Sequence, residues 1–182
     1  TMSQTPGTNI TYIGYYAGSN NTGVENTFIG ASSGNASSGA LTGDGNVAVG
    51  YKAGRDVNGD NNVSIGLQAA FQSTETTTDI DECVNIGYRT SYNIGDGSSE
   101  NVAIGTEALS ATIKITQTLA LGAEAGGTME LDTESESTGG TYLGYRSGYN
   151  IKDAVNVVLI GSNAGLNNRF DGTATTGGDT MI

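Results

Sequence analysis

The chain of 182 residues contains no histidine and a single cysteine, Cys83. Ser/His/Asp and Cys/His nucleophilic constellations are therefore absent. A lone cysteine cannot close an intrachain disulfide, and Cys83 reads as a small buried or strand-edge residue. Carboxylates are the remaining candidates for catalysis. Asp79, Asp81, Glu82, Asp96 and Glu100 lie in neighbouring loops, and a suitably separated pair of acids can cleave glycans. Acidic loops on a soluble β-fibre are more commonly solvated surface, so the expectation is a chain without catalytic activity.

Calcium is the cofactor to weigh. Asp56, Asn58 and Asp60 place oxygen ligands at alternate positions, as hard cations prefer. Glu130, Asp132 and Glu134 repeat that spacing further on. Neither run continues as an EF-hand, since the twelfth position from Asp56 is Leu67, and the glycine-rich nonapeptide of calcium β-rolls is missing. Tyrosines form a third set. Tyr15, Tyr51, Tyr88 and Tyr145 each follow a glycine within a recurring motif. Stacked in register, they would form rows able to anchor an interface or to lie against the sugar rings of a receptor.

The motif that positions all of these is clearest at Asn101–Leu109, NVAIGTEAL. Relatives are NVAVGYKAG from Asn46, NVSIGLQAA from Asn62 and NTFIGASSG from Asn26. Nine units align on Gly14, Gly30, Gly50, Gly66, Gly87, Gly105, Gly122, Gly144 and Gly161, spaced 16 to 22 residues apart. Such self-similarity marks a solenoid, in which each unit buries its apolar face against its neighbours. The residue before each glycine is aliphatic, from Ile13 to Ile160, and the one three before is β-branched except at Leu119. Between them stands a column that varies freely: Tyr12, Phe28, Ala48, Ser64, Asn85, Ala103, Ala120, Tyr142 and Leu159. A period of two predicts a strand with one buried face, and the constrained columns are expected to be that face. Two places after the glycine every residue is polar and is expected to face water; three places after, only small residues occur, as in a wall crowded by backbone. Each coil then reads as strand, glycine corner, second short strand and loop. The loops are Asn-, Gly-, Asp-, Ser- and Thr-rich, the turn-forming set.

One domain spanning residues 1–182 is expected, with no linker or composition shift. Nine coils at one strand spacing each would extend about 40 Å. Two buried aliphatics per coil leave a single chain marginal against its backbone entropy, which predicts oligomerisation through a second apolar face. The net charge of −12 disfavours nucleic acid and anionic membrane, and no apolar run is long enough for a membrane-spanning helix. Thr180, Met181 and Ile182 repeat the three columns that precede a pivot glycine, so the chain is expected to be a segment of a longer fibre.

NVAIGTEALS and NVAVGYKAG resemble the head repeat of trimeric autotransporter adhesins, and the variants IGYYAG, VGYKAG and LGYRSG are also similar to repeats of phage tail-fibre proteins. The resemblance implies a left-handed parallel β-roll, a homotrimer, an extracellular, cell-surface or virion location, and attachment to a host surface component, here a glycan. The period differs, the adhesin head being shorter and more regular per turn, and no family binding residue transfers. The six-residue pattern of hexapeptide acyltransferases fits IGYYAG, VGYKAG and IGTEAL, but once per coil, and those enzymes rely on a histidine. An ice-binding array is disfavoured because Thr11, Thr27 and Thr141 fall in the column expected to point inward. The expectations are thus a repetitive, all-β, parallel β-solenoid serving as a non-catalytic attachment module. The alternatives are a purely structural shaft and a polysaccharide-degrading enzyme.

Overall fold

The computed structural model describes residues 9–73, 78–110, 114–128, 137–151, 155–167 and 180–181, among which there is no helix. In chain order the strands are β1 (Thr11–Ile13), β2 (Thr27–Ile29), β3 (Val47–Val49), β4 (Val63–Ile65), β5 (Ile80–Asp81), β6 (Val84–Ile86), β7 (Ser98–Ser99), β8 (Val102–Ile104), β9 (Ile115–Thr116), β10 (Leu119–Leu121), β11 (Ser137–Thr138), β12 (Thr141–Leu143), β13 (Val158–Ile160) and β14 (Thr180–Met181). Ten of them form one sheet in the order β1-β2-β3-β4-β6-β8-β10-β12-β13-β14, all parallel. The chain is a β-solenoid. Each motif pairs with the next in strict register, as in Val84↔Val102 and Ile86↔Ile104, so loop length varies without shifting the ladder. Thr180 and Met181 pair with Val158 and Leu159, the columns they echo in sequence.

The faces of this sheet are the reverse of those expected. The variable middle column is the interior: Phe28, Ala48, Ser64, Asn85, Ala103, Ala120, Tyr142 and Leu159 are buried, and Tyr12 is packed against Phe28. The constrained columns point outward, with none of their members buried. Ile13 is 58% exposed and Ile104 39%. The estimate of two buried aliphatics per coil fails with this reversal. Thr11, Thr27 and Thr141 also face out, but beside Val47, Val63, Val84, Val102 and Val158, so no threonine array results.

Compensation within the coil explains why the interior column varies. Four residues after each pivot glycine the chain returns beneath the strand. There Gly18 meets the Tyr12 ring, Gly34 the Phe28 ring, Gly148 the Tyr142 ring and Gly165 the Leu159 side chain. A Cβ on Gly34 would lie 2.3 Å from Phe28, and one on Gly148 would lie 2.5 Å from Tyr142. Where the strand offers Ala103, the returning residue is the fully buried Leu109. Where it offers Asn85, the partner is Ser91, whose hydroxyl donates to the Asn85 Oδ1 at 2.6 Å. In these coils large meets small and polar meets polar, whereas Ala48 with Gly54, Ser64 with Ala70 and Ala120 with Gly126 are small on both sides. Close packing favours the matched layers, because either an overfilled or an empty layer costs stability.

After the glycine there is no second strand, a further correction. The residues two and four places on take left-handed backbone, among them Lys52 at φ 56°, Arg89 at 50°, Glu107 at 54° and Leu109 at 49°. An extended strand is incompatible with that alternation. The corner is nonetheless bonded throughout: Arg89 N–H donates to the Leu67 carbonyl of the preceding coil and Ser91 N–H to the Ala108 carbonyl of the following one. The small column three places after the pivot is buried as expected, with Ala53, Ala69, Ala108 and Ala125 fully enclosed. Its polar members donate across coils, Ser33 to the Ala48 carbonyl and Ser147 to the Leu159 carbonyl, both at 2.8 Å.

The second sheet lies in the loops. β5, β7, β9 and β11 stack in parallel, and isolated parallel bridges join Asn21 to Leu41, Val57 to Thr78 and Thr138 to Val155. Aliphatics of the otherwise polar loops are buried in and beside this wall. Leu41, Ile80, Ile94, Ile115 and Ile151 are buried to within 2%.

Candidate functional site: a corner of tyrosines and arginines

The acidic loop residues serve the stack first. Asp44, Asp60 and Asp81 form a row in which the Asp60 Oδ1 accepts the Asp44 N–H and the Asp81 Oδ1 accepts the Asp60 N–H, each at 2.8 Å. Asp79 accepts from the Asn58 Nδ2 at 2.9 Å, and its own N–H donates to Asp96. Glu100 accepts from the Gln117 side chain, while Glu82 is exposed. The proposed calcium ligands follow the same logic. Buried Asp56 accepts from the Ser37 N–H at 2.5 Å and hydroxyl at 2.8 Å and contacts Arg55 at 3.4 Å. Asn58 accepts from the Thr42 N–H and hydroxyl. Thus Asp56, Asn58 and Asp60 each send Oδ1 to a different donor. Among the described residues no three His, Cys, Asp or Glu side chains gather as a metal site. Glu130, Asp132 and Glu134 lie outside the described residues.

Sequence reasoning missed a buried asparagine ladder four residues before the pivots. The Asn46 N–H donates to the Asn26 Oδ1 at 2.7 Å, the Asn62 N–H to the Asn46 Oδ1 at 2.9 Å, and the Cys83 N–H to the Asn62 Oδ1 at 3.0 Å. Each amide nitrogen donates to a carbonyl of the next coil, Asn26 to Gly43, Asn46 to Gly59, Asn62 to Ile80 and Asn101 to Ile115. The signal was visible as the leading Asn of four motifs. Cys83 occupies a rung. Its sulfur receives the Asn101 Nδ2 at 3.7 Å, and burial pushes its thiol above the usual range, which makes it a structural residue and a poor nucleophile. Cys83→Asn restores an oxygen acceptor and a donor in reach of the next coil. We expect it to stabilise the chain by about 1 kcal/mol, the net worth of a buried hydrogen bond, read as a higher denaturation midpoint; Cys83→Ala should lower it.

The four tyrosines lie on the corner that follows each pivot glycine. Tyr15 is 73% exposed, and Tyr51, Tyr88 and Tyr145 are each just under half exposed. They do not stack on one another, because Ala31, Leu67, Thr106 and Ala123 hold the same position on intervening coils. Each of the last three meets a cation instead. The Lys52 Nζ lies 5.1 Å from the Tyr51 ring centre, the Arg89 guanidinium 6.0 Å from Tyr88, and that of Arg146 5.2 Å from Tyr145. A second aromatic flanks the cation: Phe71 at 5.8 Å from Lys52, Tyr92 at 4.0 Å from Arg89, Tyr149 at 5.1 Å from Arg146. Left-handed backbone at Lys52, Arg89 and Arg146 aims these side chains along the corner.

Carboxylates complete the arrangement. Arg89 approaches Glu107 of the next coil at 3.6 Å, and the Arg146 Nε donates to the Glu124 Oε2 of the preceding coil at 2.8 Å. That bond raises the Arg146 pKa further. The result is a mirrored arrangement, with arginine and its aromatics on the outer coils and glutamates between. Sequence reasoning found the tyrosines but missed their companions. The octapeptides IGYRTSYN (86–93) and LGYRSGYN (143–150) carry the arrangement almost verbatim.

Family models, curated proteins and solved structures include no match to this chain.

Proposed function

We propose that this chain is a non-catalytic segment of a cell-surface or virion fibre, assembled as a homotrimer and attaching to a host surface glycan. The observation that carries the assembly is the pair of outward apolar columns on the ten-stranded parallel sheet. Ile65, Ile104, Leu121 and Ile160 are each more than a third exposed, and the neighbouring valines are half-buried. Parallel sheets are ordinarily covered on both faces, and a contiguous exposed apolar patch marks an interface. The coil interior covers one face of this sheet. Three copies around a threefold axis would cover the other, placing the aliphatic columns at the centre and the charged corners on the rim, where ion pairs remain hydrated. The unequal loops then project from the periphery, free to meet a receptor.

Sedimentation equilibrium tests the assembly. The expected mass is three times the 18.5 kDa of one chain. Ile65→Lys combined with Ile104→Lys should give monomers, because charges at the centre of an interface lose their hydration without gaining partners. A monomeric unmodified chain would overturn the trimer.

A further inference from the structure

We propose that the Tyr88–Tyr145 corner binds one chain of an uncharged, extended polysaccharide, running along the solenoid. The inference rests on the attachment reading and names its ligand class. Four cationic side chains of the described residues, Lys52, Arg55, Arg89 and Arg146, stand on or beside this corner of an acidic chain, each held against aromatic rings. The charges of Arg89 and Arg146 are not free for an anion. Glu107 and Glu124 lie between Arg89 and Arg146 and pair with them, and the chain as a whole carries −12.

An ion-paired guanidinium and carboxylate flanked by half-exposed tyrosines suit a neutral partner rich in hydroxyls. The tyrosine faces can take the C–H face of a hexose ring. Arg146 contacts Glu124 through Nε, leaving the outer edge of the fork to donate to hydroxyls, and the carboxylates can accept from adjacent ones. Period adds a second argument. The corner repeats at one strand spacing per coil, about 4.8 Å, which is close to the length of a hexose unit in an extended chain. Tyr88 and Tyr145 are three coils apart, about 14 Å by that spacing, and would stack on sugars three units apart, with Glu107 and Glu124 beside those between.

The test is binding of the purified chain to immobilised linear glucan, mannan and galactan, with oligogalacturonate as the acidic comparison. Binding to at least one neutral polymer is expected. Tyr88→Ala and Tyr145→Ala should each weaken it on the order of tenfold at unchanged circular dichroism. Neutral binding that survives the double variant would overturn the site and leave glycan attachment standing. Binding to oligogalacturonate alone would overturn the choice of an uncharged ligand. Binding to host cells that persists after their surface glycans are stripped would overturn the polysaccharide while keeping attachment. Binding neither to cells nor to polymers would remove both.

Discussion

Gly105→Ala is expected to lower the melting temperature by on the order of 10 °C. Gly105 has φ +136°, and an added Cβ would lie 2.5 Å from the Gly122 carbonyl oxygen and 2.6 Å from its carbon. The backbone conformation alone costs an L-residue about 1–3 kcal/mol, and displacing a neighbouring main chain adds about 1–3 kcal/mol of overpacking. A total near 4 kcal/mol corresponds to roughly 8–16 °C for a chain of this length. Gly122 is the pivot of the next coil, where an added Cβ would likewise lie 2.5 Å from the Gly144 carbonyl oxygen, so a shift at one pivot is passed to the following ones. Gly39→Ala separates the two costs. Gly39 also has positive φ, at +76°, but a Cβ there meets nothing within 4 Å. Its penalty should be about 1 kcal/mol. Equal losses at the two sites would show that strain acts and that the close approach of the coils does not.

The second large effect is a rescue. Leu109→Gly alone removes a fully buried side chain and should cost about 2–4 kcal/mol, the cavity penalty being partly offset by relief of left-handed strain at that residue. Ala103→Leu alone forces a large side chain above Leu109 and should cost about 1–3 kcal/mol. Together they recreate the Leu159 and Gly165 arrangement found in another coil. The double variant is expected within about 1 kcal/mol of the parent, a coupling well beyond the additivity error of independent sites. Urea denaturation of the four proteins measures it. Losses that simply add would refute the claim that the strand residue and the returning residue of a coil balance each other.

That pairing also explains what the sequence could and could not disclose. The nine pivots, the three-residue strands and the parallel stacking were legible, because glycine at positive φ beside backbone tolerates no replacement. The polarity of the strand was not. A period of two reports that faces differ and leaves open which is inside. The apparent freedom of Tyr12, Phe28, Asn85 and Ala103 comes from compensation at Gly18, Gly34, Ser91 and Leu109, six residues on, which a column-by-column reading does not see. The uniform aliphatics at Ile65 and Ile104 looked like core because uniform apolarity usually is, whereas here they furnish a flat exterior. The second sheet was hidden because Ile80 is a single aliphatic among turn-forming residues, while the alternation of Ile113 and Ile115 was passed over. At the corner the tyrosines were found by spacing. Arg89 and Arg146 were passed over because a polar column reads as hydrated surface, although both sit in a repeated octapeptide.

Mechanics follows from the direction of the ladder. Each strand bonds only to the strands of the coils above and below, so its hydrogen bonds point along the stacking direction and its backbone runs across it. A pull along the long axis therefore opens layers, whereas a pull along the strands would have to slide every bond at once. A layer at an end of the stack is held from one side and yields first, lengthening the chain by one coil's worth of slack. Tension would be released in small successive steps, like a tether paid out under load, and the remaining coils would keep their structure while it happened.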